Sequence, residues 1–473
     1  MTDANGLSSV EHIVVLMLEN RSFDHMLGFL YSDINNLLPS GLEFAGLTGN
    51  ESNPGASGPV RVYRIEPGTP NAYFMPGADP GEGYMATNDQ LFGSEKAPAD
   101  GTIPAMNGFV KDFAYTLGWQ SREGGWSIVP GTVASNIMGC FTPDTVPVLS
   151  ALAKGYAVCD QWFSSVPTET MPNRAFACAA TSQGHLDDKT RTFTAPSIFG
   201  LLGKNGCTWG IYGYEAEPLT KSTFTDVASA PGGTIGQFTD FQAAAGAGTL
   251  PNFTFLEPAW SPTGNSQHPN YDVALGEQLI HDVYEALRGG QGWTQTLLVI
   301  TYDEHGGCFD HVPPPGGAAP PDNTAGEFGF DFTRFGVRVP AVLVSPLIEP
   351  GTVYRATGST PLDHTSILKT VEQRWTLRPL TARDAAAPGF GDVLTLAPAQ
   401  ARTDDVLAGV PVPQPVGPPP SATAPSHLQK VQADLISRRF PAGQHDDADA
   451  LAAHGTSATY ADYIRAHSEY HRH

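Results

Sequence analysis

The chain has 473 residues, 41% of them hydrophobic and 16% charged, which excludes a disordered protein and leaves room for one large domain with additions or for two. Its formal charge of −22 disfavours nucleic acid and anionic membrane surfaces as partners, so a phosphate-bearing ligand would need a local cationic site such as a bound metal ion. The five cysteines form no CxxC pair, which argues against a zinc knuckle or a disulfide scaffold and leaves one or two disulfides open.

The first residues, MTDANGLSSVEH, show no basic patch leading into an apolar run, and no apolar run reaches membrane-spanning length. A soluble protein is expected, with its compartment left open between export and the cytoplasm. His12 to Leu18 is an apolar run of strand length that stops at Glu19 and Asn20. Residues 33–125 are rich in Gly, Pro, Asn and Asp with weak periodicity and read as cap-like loops, as does much of 186–265. Pro147 to Gly155 reads as a helix and Tyr156 to Ser164 as a strand. After a turn-rich loop, Pro172 suits the first turn of another helix, which sets Thr170 at an N-terminus where free amides favour an anion.

Asn252 to Leu256 reads as a strand and Tyr271 to Arg288 as a helix. Leu297 to Tyr302 is a second buried strand, and it ends abruptly on Asp303, Glu304, His305 and two glycines. Val337 to Val344 continues the strand series, and Asp363-His364 opens a helix. The alternation predicts an α/β fold, a mainly parallel central sheet sandwiched by helices. The main domain is placed at 1–400, a linker at 401–425 whose proline-rich part is Val410 to Pro425, and a helical segment and tail at 426–473 with Ser426 as a possible N-cap. Association of the C-terminal segment and oligomeric state are not legible.

This layout brings Glu19, Asn20, Thr170, Asp303 and Glu304 to one sheet edge. Carboxylate and amide oxygens suit a divalent cation, and a hydroxyl touching that cation loses its proton more easily, which makes a nucleophile of the threonine. The ordinary alternative for Thr170 is a helix-cap or turn residue.

The segments HIVVLMLENRSFDHMLGFL, PTETMPNR, TYDEHGGCFDHVPPP, FGVRVPAVLVSPL and LDHTSIL, in that order across about 12 to 385, carry a resemblance. The chain resembles the bacterial phosphoesterase family of phosphatidylcholine-type phospholipases C and related acid phosphatases and, more distantly, the alkaline phosphatase superfamily. The resemblance implies an alkaline phosphatase-like fold and a metal-dependent phosphoric ester hydrolase acting through a phosphothreonine. Glu19, Asn20, Thr170, Asp303 and Glu304 would hold the metal. His268, His311 and His364 would contact phosphate or protonate the leaving group, and each also has a plain reading as a loop-holding histidine. Arg174 and Asn173 fit substrate binding, with a buried ion pair as the alternative for Arg174. Oxygen ligands lean toward calcium, magnesium or manganese, and a directly bound histidine would shift the choice to zinc or iron.

The implied substrates are phosphate esters, phospholipid head groups among them, with a small-molecule phosphomonoesterase as the alternative. One departure bears on substrate: family members often have a histidine in the loop where this chain reads Asp79 to Tyr84, with Glu82 in the middle. Thr170 to Arg174 also fits the outline of a sulfatase signature, but threonine is not expected to undergo the oxidation that signature needs. A non-catalytic binding protein would have lost ligand positions, and none is lost here.

Overall fold

Residues 6–33, 36–99, 101–124, 126–214, 217–230, 232–417, 423–440 and 446–469 are described by the computed structural model of the chain. Eight strands form the central sheet: β1 (His12–Leu18), β2 (Ala157–Val158), β3 (Trp209–Gly213), β4 (Ile235–Gln237), β5 (Phe253–Glu257), β6 (Thr296–Tyr302), β7 (Ala341–Val344) and β8 (Thr352–Val353). Their spatial order is β4-β3-β5-β1-β6-β7-β2-β8. β1 lies parallel between β5 and β6, and β7 alone runs antiparallel to its neighbours β6 and β2. The fold is therefore the expected α/β sandwich with a mostly parallel sheet.

Ile13 to Leu18 and every residue of β6 are buried, as strands covered on both faces require. Helices α4 (Pro147–Gly155), α6 (Val273–Arg288) and α7 (Thr365–Trp375) add Leu149, Ile280, Val283, Ile367 and Val371 to the same core. The short α1 (Phe23–Leu27) follows β1, and α5 (Thr170–Ala179) begins at the expected threonine.

Several boundaries differ from the sequence reading. Residues 186–265 hold β3 and β4 besides the expected β5; strands of three to five residues carry too short an apolar repeat to stand out among glycines. Tyr156 to Ser164 breaks into β2 and a separate pair at Trp162–Phe163, and the strand expected from Val337 starts only at Ala341, just after Pro340, which cannot donate to the ladder. Within 33–125, α2 (Tyr84–Phe92) and α3 (Phe109–Glu123) pack around a second apolar core that includes Leu91, Met106, Phe109 and Phe113. All five cysteines are free thiols.

At the C-terminal end α8 (His427–Ser437) has Ser426 as its N-cap, the Gln429 amide donating to the Ser426 hydroxyl at 3.0 Å. Leu428, Val431 and Leu435 enter the main core, so this helix packs on the central domain. α9 (Asp446–His454) and α10 (Ser457–Glu469) follow. Residues 418–422 of the proline-rich stretch lie outside the described residues.

Candidate active site and metal centre

The parallel pairing of β1 with β6 runs up to Leu18 opposite Tyr302. One step further, Glu19-Asn20 and Asp303-Glu304 leave the sheet side by side at its carboxyl edge, where α/β sheets present their ligand groups. The Asn20 amide donates to Asp303 Oδ1 at 2.9 Å and the Glu304 amide to the same oxygen at 2.8 Å. Asn20 takes a left-handed backbone (φ 57), a conformation asparagine tolerates better than most residues. The following Gly306 (φ 59) has no room for a side chain, since a Cβ there would run into the Asn20 carbonyl oxygen. The two chain ends are thus closed against each other before any ligand arrives.

Thr170, the first residue of α5 and only 2% exposed, donates from Oγ1 to Asn20 Oδ1 at 3.0 Å. The hydroxyl therefore meets the strand-end group across 150 residues of sequence. The next amide, Met171 N–H, donates to Asp188 Oδ1 at 2.6 Å, so the helix terminus expected to favour an anion holds a carboxylate of the protein itself.

Asp303 pairs with a buried cation, Arg174, whose Nε donates to its Oδ2 at 2.9 Å and whose charge also acts on Glu19. Glu19 Oε2 and Glu304 Oε1 are buried with no hydrogen-bond partner. Burial, and then the charge of Asp303, raise the carboxyl pKa values of Glu19 and Glu304 above the ordinary range. Orphaned carboxylate oxygens beside an amide oxygen and a hydroxyl are what a divalent cation would satisfy. Glu19, Asn20, Thr170, Asp303 and Glu304 thus offer donors of the kind a divalent cation takes, but among the described residues the acid and histidine groups whose ligand atoms already lie within 4.8 Å of one another are Asp24–Asp310–His311 and Asp79–Glu82–His268.

The other expected residues separate into those that face this centre and those that do not. His268 borders a cavity of about 560 Å³ with Asp79, Glu82, Glu169 and Asp188. Its Nδ1 lies 3.1 Å from the Pro269 carbonyl, its Nε2 is 3.8 Å from Asp79 Oδ1, and burial lowers its pKa to about 3. Arg21 fixes this loop, Nε donating to the Gln267 carbonyl at 2.6 Å and Nη2 to that of His268 at 3.1 Å. His364 is sealed behind the site: Nε2 lies 2.6 Å from the Asp303 carbonyl, and Trp162 Nε1 donates to Nδ1 at 3.4 Å. It braces the Asp303 backbone and offers no free nitrogen to a substrate.

His311 belongs to a different cluster, pairing through Nδ1 with Asp24 Oδ2 at 2.6 Å. Burial pulls its pKa down, but the hydrogen bond to Asp24 and the charges of Asp24 and Asp310 together outweigh burial and leave it raised. Asn173 is fully buried as a loop staple: Oδ1 accepts from the Val166 amide, and Nδ2 donates to the Val166, Thr168 and Glu169 carbonyls. Its side chain is spent inside its own loop, which corrects the expectation of substrate contact. Arg174 also donates to the Met17 and Leu18 carbonyls and stacks 4.6 Å over Trp260, leaving only Nη1 unpartnered. It is mainly the buried ion pair of its two readings.

Three acidic residues were not assigned roles from sequence. Glu82 accepts a short hydrogen bond from Asn20 Nδ2, and ligand atoms of Asp79, Glu82 and His268 all lie within 4.8 Å of one another. Asp188 caps Met171 as above. Burial raises the pKa of all three carboxyls, with the charges of Asp79 and Glu304 adding to the effect at Glu82 and that of Asp303 adding at Asp188. Their loops have no periodicity to place them, although the acidic pair Asp187-Asp188 and the departure at Glu82 are visible in the sequence.

The profile of the Phosphoesterase family matches residues 10–378. Non-specific phospholipase C1 of Arabidopsis thaliana is 39% identical over 405 residues, covering 80% of this chain and 70% of that protein. Non-specific phospholipase C6 of the same plant is 37% identical over 415 residues, covering 82% and 72%. Among solved structures, a protein in the alkaline phosphatase superfamily from Vibrio parahaemolyticus aligns over 52% of this chain and 65% of its own, at 12% identity and a TM-score of 0.33.

Proposed function

The chain belongs to the Phosphoesterase family and is a phosphoric ester hydrolase, and from that premise we propose a metal-dependent, phospholipase C-like enzyme that works through a phosphothreonine on Thr170. The observation that carries this reading is the buried hydroxyl of Thr170 on Asn20 Oδ1, beside two carboxylates with orphaned oxygens. A divalent cation held by Glu19, Asn20, Thr170, Asp303 and Glu304 would supply charge neutralisation at the phosphoryl oxygens and ease loss of the Thr170 proton.

The protein's own groups account for the rest. Thr170 Oγ1 attacks phosphorus, the ester bond to the alcohol breaks, and water then releases phosphate or the phosphorylated head group from the threonine. Arg174, tied to Asp303 and to the carbonyls at the end of β1, keeps the ligand carboxylate in place. Of the three expected histidines only His268 borders the cavity, so the proton for the leaving alcohol is assigned to the Asp79–Glu82–His268 group.

The cavity wall favours a diester over a monoester. Asp79, Glu82, Glu169, Asp187 and Asp188 line it against two lysines, Lys189 and Lys430, a net acidic setting that suits a monoanionic diester with a cationic head group better than a dianionic monoester. Hydrolysis of p-nitrophenyl phosphocholine should exceed that of p-nitrophenyl phosphate in kcat/KM and stop with chelator; the reverse preference would move the assignment to a phosphomonoesterase. Acid quenching during turnover of a phosphorus-labelled substrate should leave label on the Thr170 peptide. Label-free protein at steady state, with turnover intact in Thr170→Ala, would remove the covalent step.

A further inference from the structure

Exposed apolar side chains are ordinary when scattered, and informative when they collect in one place. Five of the eleven exposed large apolar side chains among the described residues, Met85, Tyr115, Trp119, Trp126 and Phe328, lie on or beside the walls of two adjoining cavities. α3 buries Phe109, Val110 and Phe113 and turns Tyr115 (65% exposed) and Trp119 (38%) outward one helical turn apart. Trp119 meets Trp126 (41%) edge to face at 5.1 Å, and Trp126 lines the cavity that holds Asp79, Glu82 and His268. On the other side Tyr115, Met85 (48%) and Phe328 (60%) line an adjoining cavity of about 430 Å³ that shares Glu169 and Asp187 with the first. Phe328 stacks on Tyr84 at 5.7 Å, so its exposed ring is held in place.

We propose that this aromatic rim is a docking surface for a zwitterionic phospholipid bilayer, seating the enzyme with its catalytic cavity over the head groups. The proposal rests on the phospholipase C-like reading above. Tryptophan and tyrosine suit a bilayer surface because one side of the ring is apolar and one edge is polar. The occupant follows from charge as well as from the rings. The protein carries −22, and acids outnumber lysines on the walls of both cavities behind the rim, so an anionic surface is repelled and a neutral one is not. A protein partner would not explain why the apolar side chains sit beside the cavity that holds Asp79, Glu82 and His268, whereas a lipid whose head group must enter that cavity does.

The test is sedimentation with sucrose-loaded phosphatidylcholine vesicles, using full-length Thr170→Ala protein so that the lipid is not consumed. The parent should partition onto these vesicles and less onto vesicles rich in phosphatidylglycerol. Tyr115→Ser/Trp119→Ser, and separately Met85→Ser/Phe328→Ser, should each lower partitioning by about tenfold or more. The same pairs in the Thr170 background should hydrolyse p-nitrophenyl phosphocholine within about twofold of the parent, which also shows that they fold. Unchanged partitioning in both pairs, or stronger binding to the anionic vesicles, overturns the surface. Loss of soluble-substrate hydrolysis in both pairs overturns it too, by making the rim part of the catalytic structure. Vesicle binding without release of phosphocholine from wild type upholds the surface and removes the phospholipid substrate.

Discussion

Two clusters of buried acids sit on neighbouring stretches of the same motifs, and they solve the problem of buried charge differently. In one, Asp24 and Asp310 close on Arg338, whose Nη2 and Nε donate to them at 2.9 and 3.0 Å and whose Nη1 takes the Ala45 and Asp160 carbonyls at 2.8 Å each. His311 and backbone amides take the remaining oxygens, and none of the four is orphaned. In the other, Arg174 bonds directly to Asp303 alone, and Glu19 and Glu304 each keep one oxygen unsatisfied. A cluster that carries its own cation is a brace; a cluster short of one has oxygens left over that a cation from outside would satisfy.

The contrast makes separable predictions. Thr170→Ala, inside the short-handed cluster, should lower kcat by at least about 10³-fold while cation content by elemental analysis stays at the wild-type level. Arg338→Met should do the opposite, costing about 3–5 kcal/mol of stability by leaving Asp24 and Asp310 uncompensated, as read from denaturant unfolding, with cation content unchanged. If Arg338→Met instead proves neutral, the brace reading is wrong.

The pH dependence distinguishes the clusters as well. The Glu19, Asp79, Glu82, Glu169, Asp188 and Glu304 carboxyls are all raised in the folded chain, so between about 4.5 and about 8 the native state holds more protons than the unfolded one. Stability of the chelator-stripped protein should therefore fall as pH rises through that window, and a saturating divalent cation should flatten the slope in a Tm series. The smallest effect is expected at His311. Its raised pKa contributes stability that is present at low pH and lost as pH rises through the folded value. His311→Asn should cost about 1–2 kcal/mol below that value and change kcat by less than about threefold.

The difference between the clusters also marks how far sequence could reach. Glu19, Asn20, Asp303 and Glu304 were legible because an apolar run fixes a buried strand, and parallel register then fixes what stands at its end. Thr170 was legible because Pro172 marks the start of its helix. Two of the three histidines were not, because residue type gives the available chemistry and only packing gives the direction of the ring: His364 turns back onto a carbonyl and His311 onto Asp24. Asn173 fails for the same reason, and Asp79, Glu82 and Asp188 lay in loops whose path depends on contacts distant in sequence. The strands of 186–265 were partly lost because they are too short to show a period.

The central claim is that the strand-end acids hold a divalent cation beside Thr170. Calorimetric titration of chelator-stripped wild type and of Glu304→Gln with manganese, calcium, magnesium and zinc in turn tests it most directly. The account predicts that wild type binds at least one of these ions and gains about 2.7 kcal/mol of stability at a free concentration a hundredfold above Kd, and that Glu304→Gln folds without the ion but has lost the binding. Wild type that takes up none of the ions, or Glu304→Gln that binds as tightly as wild type, would contradict it.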